Sequence, residues 1–110
     1  MTDKLPVPTE KEVQRAVVDF YRSIGCAVKS TSQARRSKVA LGLPDLLVFW
    51  PSRGAFWFHE VKRAGGTLSE DQERFSLLAL ECRTGFVVGG LAEAVAKVES
   101  LGVTILRRGV

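Results

Sequence analysis

The chain lacks the features that mark several large protein classes. It has only two cysteines, Cys26 and Cys82, far apart and in no CxxC pair. A disulfide scaffold and a zinc knuckle are both disfavoured, and the two thiols read as reduced core residues. No apolar run approaches the roughly 18 residues that a membrane span needs, so no membrane partner is expected. The opening MTDKLPVPTEKE carries no signal-peptide core, and the expected location is the cytoplasm of a bacterial cell or of a phage-infected host. Internal repeats and low-complexity tracts are missing too. Nothing in the chain resembles a helix-turn-helix or zinc-finger reader of base sequence.

What is present fits one globular domain. The 110 residues are 45% apolar and 25% charged, a balance that excludes disorder and is enough for one core. Residues 1–8 hold two prolines and read as a flexible lead-in, with a single domain over 9–110. A formal charge of +4 is compatible with a polyanionic partner without singling one out.

Local signals predict the element order. Thr9 and Glu12 form a capping-box pair that opens a helix running to about Ile24 and stopping at Gly25. Val13, Ala16, Val17, Phe20 and Ile24 share its apolar stripe. CAVKS is a short strand, and TSQARRSKVALGLP an irregular basic loop. DLLVFW and AFWFHEVK are strands joined by a PSRG hairpin turn, apolar on both faces and so expected in the sheet interior. Thr67 or Ser69 starts a second helix, with Phe75, Leu78 and Cys82 turned toward the sheet and Gly85 ending it. FVVGG is a strand, LAEAVAKVESLG a third helix, and VTILRR a last short strand or extended tail. The fold class is α/β, a central mixed sheet flanked by helices in the order αβββαβαβ.

Charges sit where the central strands should be apolar. Alternation along the third strand puts Phe56, Phe58, Glu60 and Lys62 on one face, and Trp57, His59 and Val61 on the other. In an antiparallel hairpin Asp45, heading the preceding strand, falls beside Glu60 and Lys62. Burying carboxylates costs several kcal/mol unless they are paired. A salt-bridge cluster with Lys62 is one account. A divalent cation is a more economical one, because carboxylates, a backbone carbonyl such as that of Val61, and water suit Mg²⁺, with Mn²⁺ as a substitute. The helical wheel places Glu10 nearer the inward stripe of the first helix than Glu12, so Glu10 is the expected third acid and Glu12 the cap. His59, next to Glu60, points to the opposite face and reads as a core or surface histidine.

Glu10, GLPD with Asp45, HEVK with Glu60 and Lys62, and LSEDQERF with Gln72 together resemble the PD-(D/E)xK nuclease superfamily. Within it the chain is most similar to the VRR-NUC group of virus-type replication-repair nucleases. The resemblance spans about residues 9–90 and implies a restriction-endonuclease-like core. It further implies metal binding by Asp45 and Glu60, water positioning and charge stabilisation by Lys62, and catalytic roles for Glu10 and Gln72. The activity implied is Mg²⁺-dependent, structure-specific cleavage of DNA, with branched DNA such as a four-way junction as substrate and flap or splayed-arm DNA as the alternative. A DNA-binding or assembly module without turnover is the competing class. Similarity to Holliday-junction resolvases implies a homodimer; Val87, Val88, Leu91 and Val103 suit either its interface or the core. Lys29, Arg35, Arg36, Lys38 and Arg63 form the expected phosphate-contacting edge, while Arg107 and Arg108 fit either DNA contact or solubility.

Overall fold

The computed structural model describes residues 6–32 and 41–106. Helix α1 (Glu10–Ser23) is followed by strands β1 (Ala27–Ser30), β2 (Leu46–Trp50) and β3 (Ala55–Val61). Helix α2 (Glu70–Glu81), strand β4 (Gly85–Gly89) and helix α3 (Leu91–Ser100) complete it. The sheet order is β1-β2-β3-β4. The β1–β2 and β2–β3 pairs are antiparallel, and β3–β4 is parallel. The sheet is therefore mixed, with the two charge-bearing strands central as their composition predicts.

Local chemistry explains the element ends. Thr9 and Glu12 form the capping box of α1, which ends at Ser23 ahead of Gly25 at φ 95°. Ser69, not Thr67, caps α2, with Gln72 as its reciprocal partner. The β2–β3 connection is one turn of 3-10 helix, Pro51–Arg53, closed by Gly54 in the left-handed region, where glycine carries no Cβ penalty. Gly85 does not end α2 as expected: the helix stops at Glu81, the left-handed position is taken by Arg83 at φ 56°, and Gly85 opens β4.

The core lies between the sheet and the α1/α3 layer. Val17 and Tyr21 from α1 pack with Leu46, Val48 and Trp50 of β2, Trp57 and Val61 of β3, Val87 of β4, and Ala94 and Val98 of α3. Cys26 belongs to this cluster. Val87 is core, Val103 packs against it, and Leu91 is exposed.

The opposite face carries α2 and a phenylalanine ladder. Phe58 meets Phe75 of α2 edge-on at 5.0 Å, and Phe56 continues the stack at 5.0 Å from Phe58 and 4.8 Å from Phe49. Here two expectations fail. Leu78 and Cys82 line a groove with Phe58 and Phe75 on the sheet side, but Leu78 is 60% exposed and Cys82 is exposed, so of the three predicted contacts only Phe75 packs closely on the sheet. The run Leu77, Leu78 and Leu80 winds around α2, and one short helix cannot turn all of it inward. The expected final strand is also not seen over the described part of its segment, 103–106. Val103 and Ile105 instead pack on the core without pairing to the sheet.

Candidate active site

Two neighbouring strand ends build the site. The strand register sets Leu46 opposite His59, so Asp45, one step outside β2, lies opposite Glu60. Asp45 Oδ2 accepts the Val61 N–H at 2.8 Å, a charge-assisted bond that orients the carboxylate. Glu60 is fully buried and Asp45 is 5% exposed. Glu10, at the first position of α1, comes in from the helical layer and remains exposed to solvent. Among the described residues these three acids form a cluster whose ligand oxygens all lie within 4.8 Å of one another.

Such a cluster is held against repulsion. Two charges at the Asp45–Glu60 spacing oppose each other by about 3 kcal/mol at an effective dielectric of about 20. Lys62 compensates in part: its Nζ lies 3.7 Å from Glu60 Oε2, an ion-pair separation. The donors are all carboxylate oxygens, without histidine or thiolate. That is the set a hard divalent cation takes, and a poor one for zinc. Because a carboxylate has about four lone-pair positions, Asp45 can accept the Val61 N–H and still bind a cation.

The loop carrying Asp45 is fixed from two sides. Thr31, buried just past β1, donates its backbone N–H to the Asp45 carbonyl at 2.9 Å, and its hydroxyl reaches the Pro44 carbonyl at 2.5 Å. Gly42, at φ 82°, packs so closely on the backbone of Asp71 that a Cβ there would collide with it. The GLPD turn thus rests on the first turn of α2, the turn that holds Gln72. Gln72 is buried rather than an exposed helix residue, and its Oε1 already accepts the Ser69 N–H at 2.8 Å. Its amide nitrogen is the group left to act as donor.

The remaining predicted residues separate. Glu12 is bound to Thr9 as the cap, at 3.1 Å in both directions, and those bonds hold its carboxyl below the usual range. Lys29 and Arg63 are exposed, on β1 and just past β3. Arg63 and Lys62 line a groove of about 600 Å³ that continues between the starts of α1 and α3, past Val13 and Leu91. Arg35, Arg36, Lys38, Arg107 and Arg108 lie outside the described residues.

Sequence reasoning passed over Thr31 and Tyr21. Thr31 stands in a polar loop with no spacing signal, and its role emerges only from strand pairing. Tyr21 sits on the α1 core face, and its hydroxyl meets His59 Nδ1 at 2.8 Å. A lone tyrosine at a core position of a helix is the one hint that the chain offers.

No curated protein matches the chain. A solved structure described as a VRR_NUC domain is similar at 32% identity with a TM-score of 0.67, the match covering 82% of this chain and 94% of that one. The VRR-NUC domain family profile matches residues 5–99, which include every acid of the cluster and both capping boxes. With most of its length matched by that profile and its nuclease-type fold shared with a solved member, the chain belongs to the VRR-NUC domain family.

Proposed function

We propose that this protein is a Mg²⁺-dependent DNA endonuclease acting on branched DNA such as four-way junctions. The observation that carries this reading is the convergence of Glu10, Asp45 and Glu60 within 4.8 Å, with the Lys62 ammonium 3.7 Å from Glu60. A purely structural ion-pair cluster is a poor alternative. Buried pairs are commonly neutral or worse for stability than apolar residues.

Asp45 and Glu60 would hold the cation, joined by Glu10 and the Val61 carbonyl. When bound, it would supply Lewis-acid polarisation of a phosphoryl oxygen and make water more acidic. The chain's own residues do the rest. The Val61 N–H orients Asp45 before substrate arrives, which reduces reorganisation during the reaction. Lys62, 3.7 Å from Glu60, orients the attacking water and offsets charge growing on the scissile phosphate. The Gln72 amide offers a neutral donor to water or to a phosphate oxygen. Lys29 and Arg63 contact flanking phosphates, together with Arg35, Arg36 and Lys38.

Paired cuts across a junction need two centres related by a two-fold axis, hence a homodimer. Support for a self-association surface comes from the α2 face. Phe49, Phe56, Leu77, Leu78 and Leu80 are all exposed there, more apolar surface than isolated surface residues explain.

The test is cleavage of linear duplex, flap, splayed-arm and four-way-junction DNA with Mg²⁺, Mn²⁺ or EDTA. Symmetric cuts on opposing strands of the junction are expected. Flap-only cleavage would move the reading to a repair nuclease, and turnover in EDTA would remove the metal mechanism. Binding of junction DNA without cleavage under any metal would favour the non-catalytic module. Sedimentation at micromolar concentration checks the dimer, and a strict monomer that still cuts symmetrically would contradict it.

A further inference from the structure

A directional hydrogen-bond chain runs through the core beneath the active strand. The Gly89 carbonyl can only accept, so His59 Nε2, 3.0 Å away, must carry the ring proton. His59 Nδ1 is then an acceptor, and the Tyr21 hydroxyl donates to it at 2.8 Å. Tyr21 in turn accepts the Trp57 indole N–H at 3.2 Å. Trp57, Tyr21 and His59 are each 0% exposed. The order Trp57 to Tyr21 to His59 to Gly89 satisfies each donor and fixes one tautomer. Burial lowers the pKa of His59, in keeping with a neutral ring.

The far end of this chain is what gives it meaning. The Gly89 carbonyl that receives His59 also accepts the Lys62 backbone N–H, at 3.1 Å. Lys62 is the first residue beyond β3, and its N–H makes the last ladder bond of the parallel β3–β4 pair, at the frayed end of the sheet. The Gly89–Gly90 peptide is held from its other side, since the Gly90 N–H donates to Glu93 Oε1 at 2.8 Å, so the Gly89 carbonyl cannot easily turn to seek another partner. One carbonyl thus anchors both the imidazole from the core side and the lysine from the site side.

We propose that His59 is a positioning residue for Lys62. Through the Gly89 carbonyl it holds the Lys62 backbone in the direction that sets Nζ against Glu60. It acts through the backbone, since its ring lies on the opposite face of β3 from Glu60. The inference rests on the nuclease reading for its kinetic consequence, but the structural coupling itself can be measured without activity.

The experiment compares His59→Leu, His59→Gln and Tyr21→Phe with wild type, each alone and with Lys62→Ala. Amide hydrogen exchange at Lys62 comes first. His59→Leu is expected to lower protection of that amide by about tenfold relative to other β3 amides, and His59→Gln, which can still donate to Gly89, to restore most of it. Single-turnover cleavage at a temperature well below unfolding should fall by about tenfold in His59→Leu, recover in His59→Gln, and fall no further when the lysine is already gone. Should His59→Leu fail to fold, His59→Phe, which keeps a ring but cannot donate to Gly89, carries the same expectations, while Tyr21→Phe leaves the Nε2 donor in place and should keep most Lys62 protection. Unchanged Lys62 protection in a folded His59→Leu or His59→Phe would overturn the proposal, as would equal rate losses with and without Lys62. If wild type cleaves nothing, the nuclease reading fails while the exchange result still decides the coupling.

Discussion

The carboxylate of Asp45 and the backbone N–H of Val61 meet at 2.8 Å across the open end of the β2–β3 pair. This bond joins the two halves of the charged motif directly. It also separates two functions of one side chain, since Asp45 satisfies a buried peptide group and at the same time presents a charge beside Glu60.

Substitutions at these acids should divide accordingly. Asp45→Asn keeps an oxygen for the Val61 N–H, whereas Asp45→Ala leaves that buried donor unmet, at a cost of about 1–3 kcal/mol. Urea denaturation should therefore rank Asp45→Ala below Asp45→Asn, while calorimetry with Mn²⁺ should show binding lost in both. Equal stabilities, or Mn²⁺ binding retained by either, would contradict the assignment.

Glu60→Gln removes one of the clustered charges. Its melting temperature in EDTA is expected to equal or exceed that of wild type, because carboxylate repulsion is relieved. Adding Mn²⁺ should raise the melting temperature of wild type and leave the variant unmoved, since a ligand stabilises only the state that binds it. A variant that responds to Mn²⁺ like wild type would take Glu60 out of the metal site.

Lys62→Ala should fold, keep most metal and DNA affinity, and lose turnover by roughly a hundredfold, the effect of removing one strong transition-state contact. Single-turnover cleavage and filter binding on the same junction DNA separate the two effects. Cleavage at the wild-type rate would exclude the lysine from the chemical step.

Thr31→Val keeps the shape of the side chain but deletes the hydroxyl that reaches the Pro44 carbonyl. Leaving a buried acceptor unmet costs about 1–3 kcal/mol. Because Pro44 delivers Asp45, Mn²⁺ affinity should weaken as well. A loss of stability with unaltered affinity would make Thr31 a packing residue alone.

The thiols should differ sharply. Exposed Cys82 is expected to react with a disulfide reagent at once, and buried Cys26 only upon unfolding. Burial pushes the Cys26 thiol from 9.0 up to about 11. Folding thus favours its protonated form, and the stability this contributes is full below the unfolded value and is lost as pH rises toward 11. Between about pH 8 and about pH 10.5, wild type should lose more stability in urea than Cys26→Val does. Identical losses would show that Cys26 does not titrate differently in the two states.

Features that depend on near neighbours are legible in the sequence. Thr9 with Glu12 defines one helix start because a capping box closes within a single turn. The Pro-Ser-Arg-Gly turn between two aromatic strands sets a short hairpin, and strand alternation then carries Asp45 to Glu60 and Lys62. The helical wheel alone puts Glu10 rather than Glu12 nearer the strand acids, and Glu10 lies beside Asp45 and Glu60 while staying exposed. The tertiary structure decided whatever depends on partners far along the chain. Thr31 gains its role from Pro44 and Asp45, and His59 from Tyr21 and Gly89, contacts that no local pattern encodes. Leu78 and Cys82 have core-like spacing, yet they stay exposed because α2 covers only part of its sheet face. The segment after α3 has β-forming residues, but Val103 and Ile105 gain more from packing on the core than from sheet pairing. Periodicity states which side of an element is apolar; only the assembled layers determine whether anything lies against it.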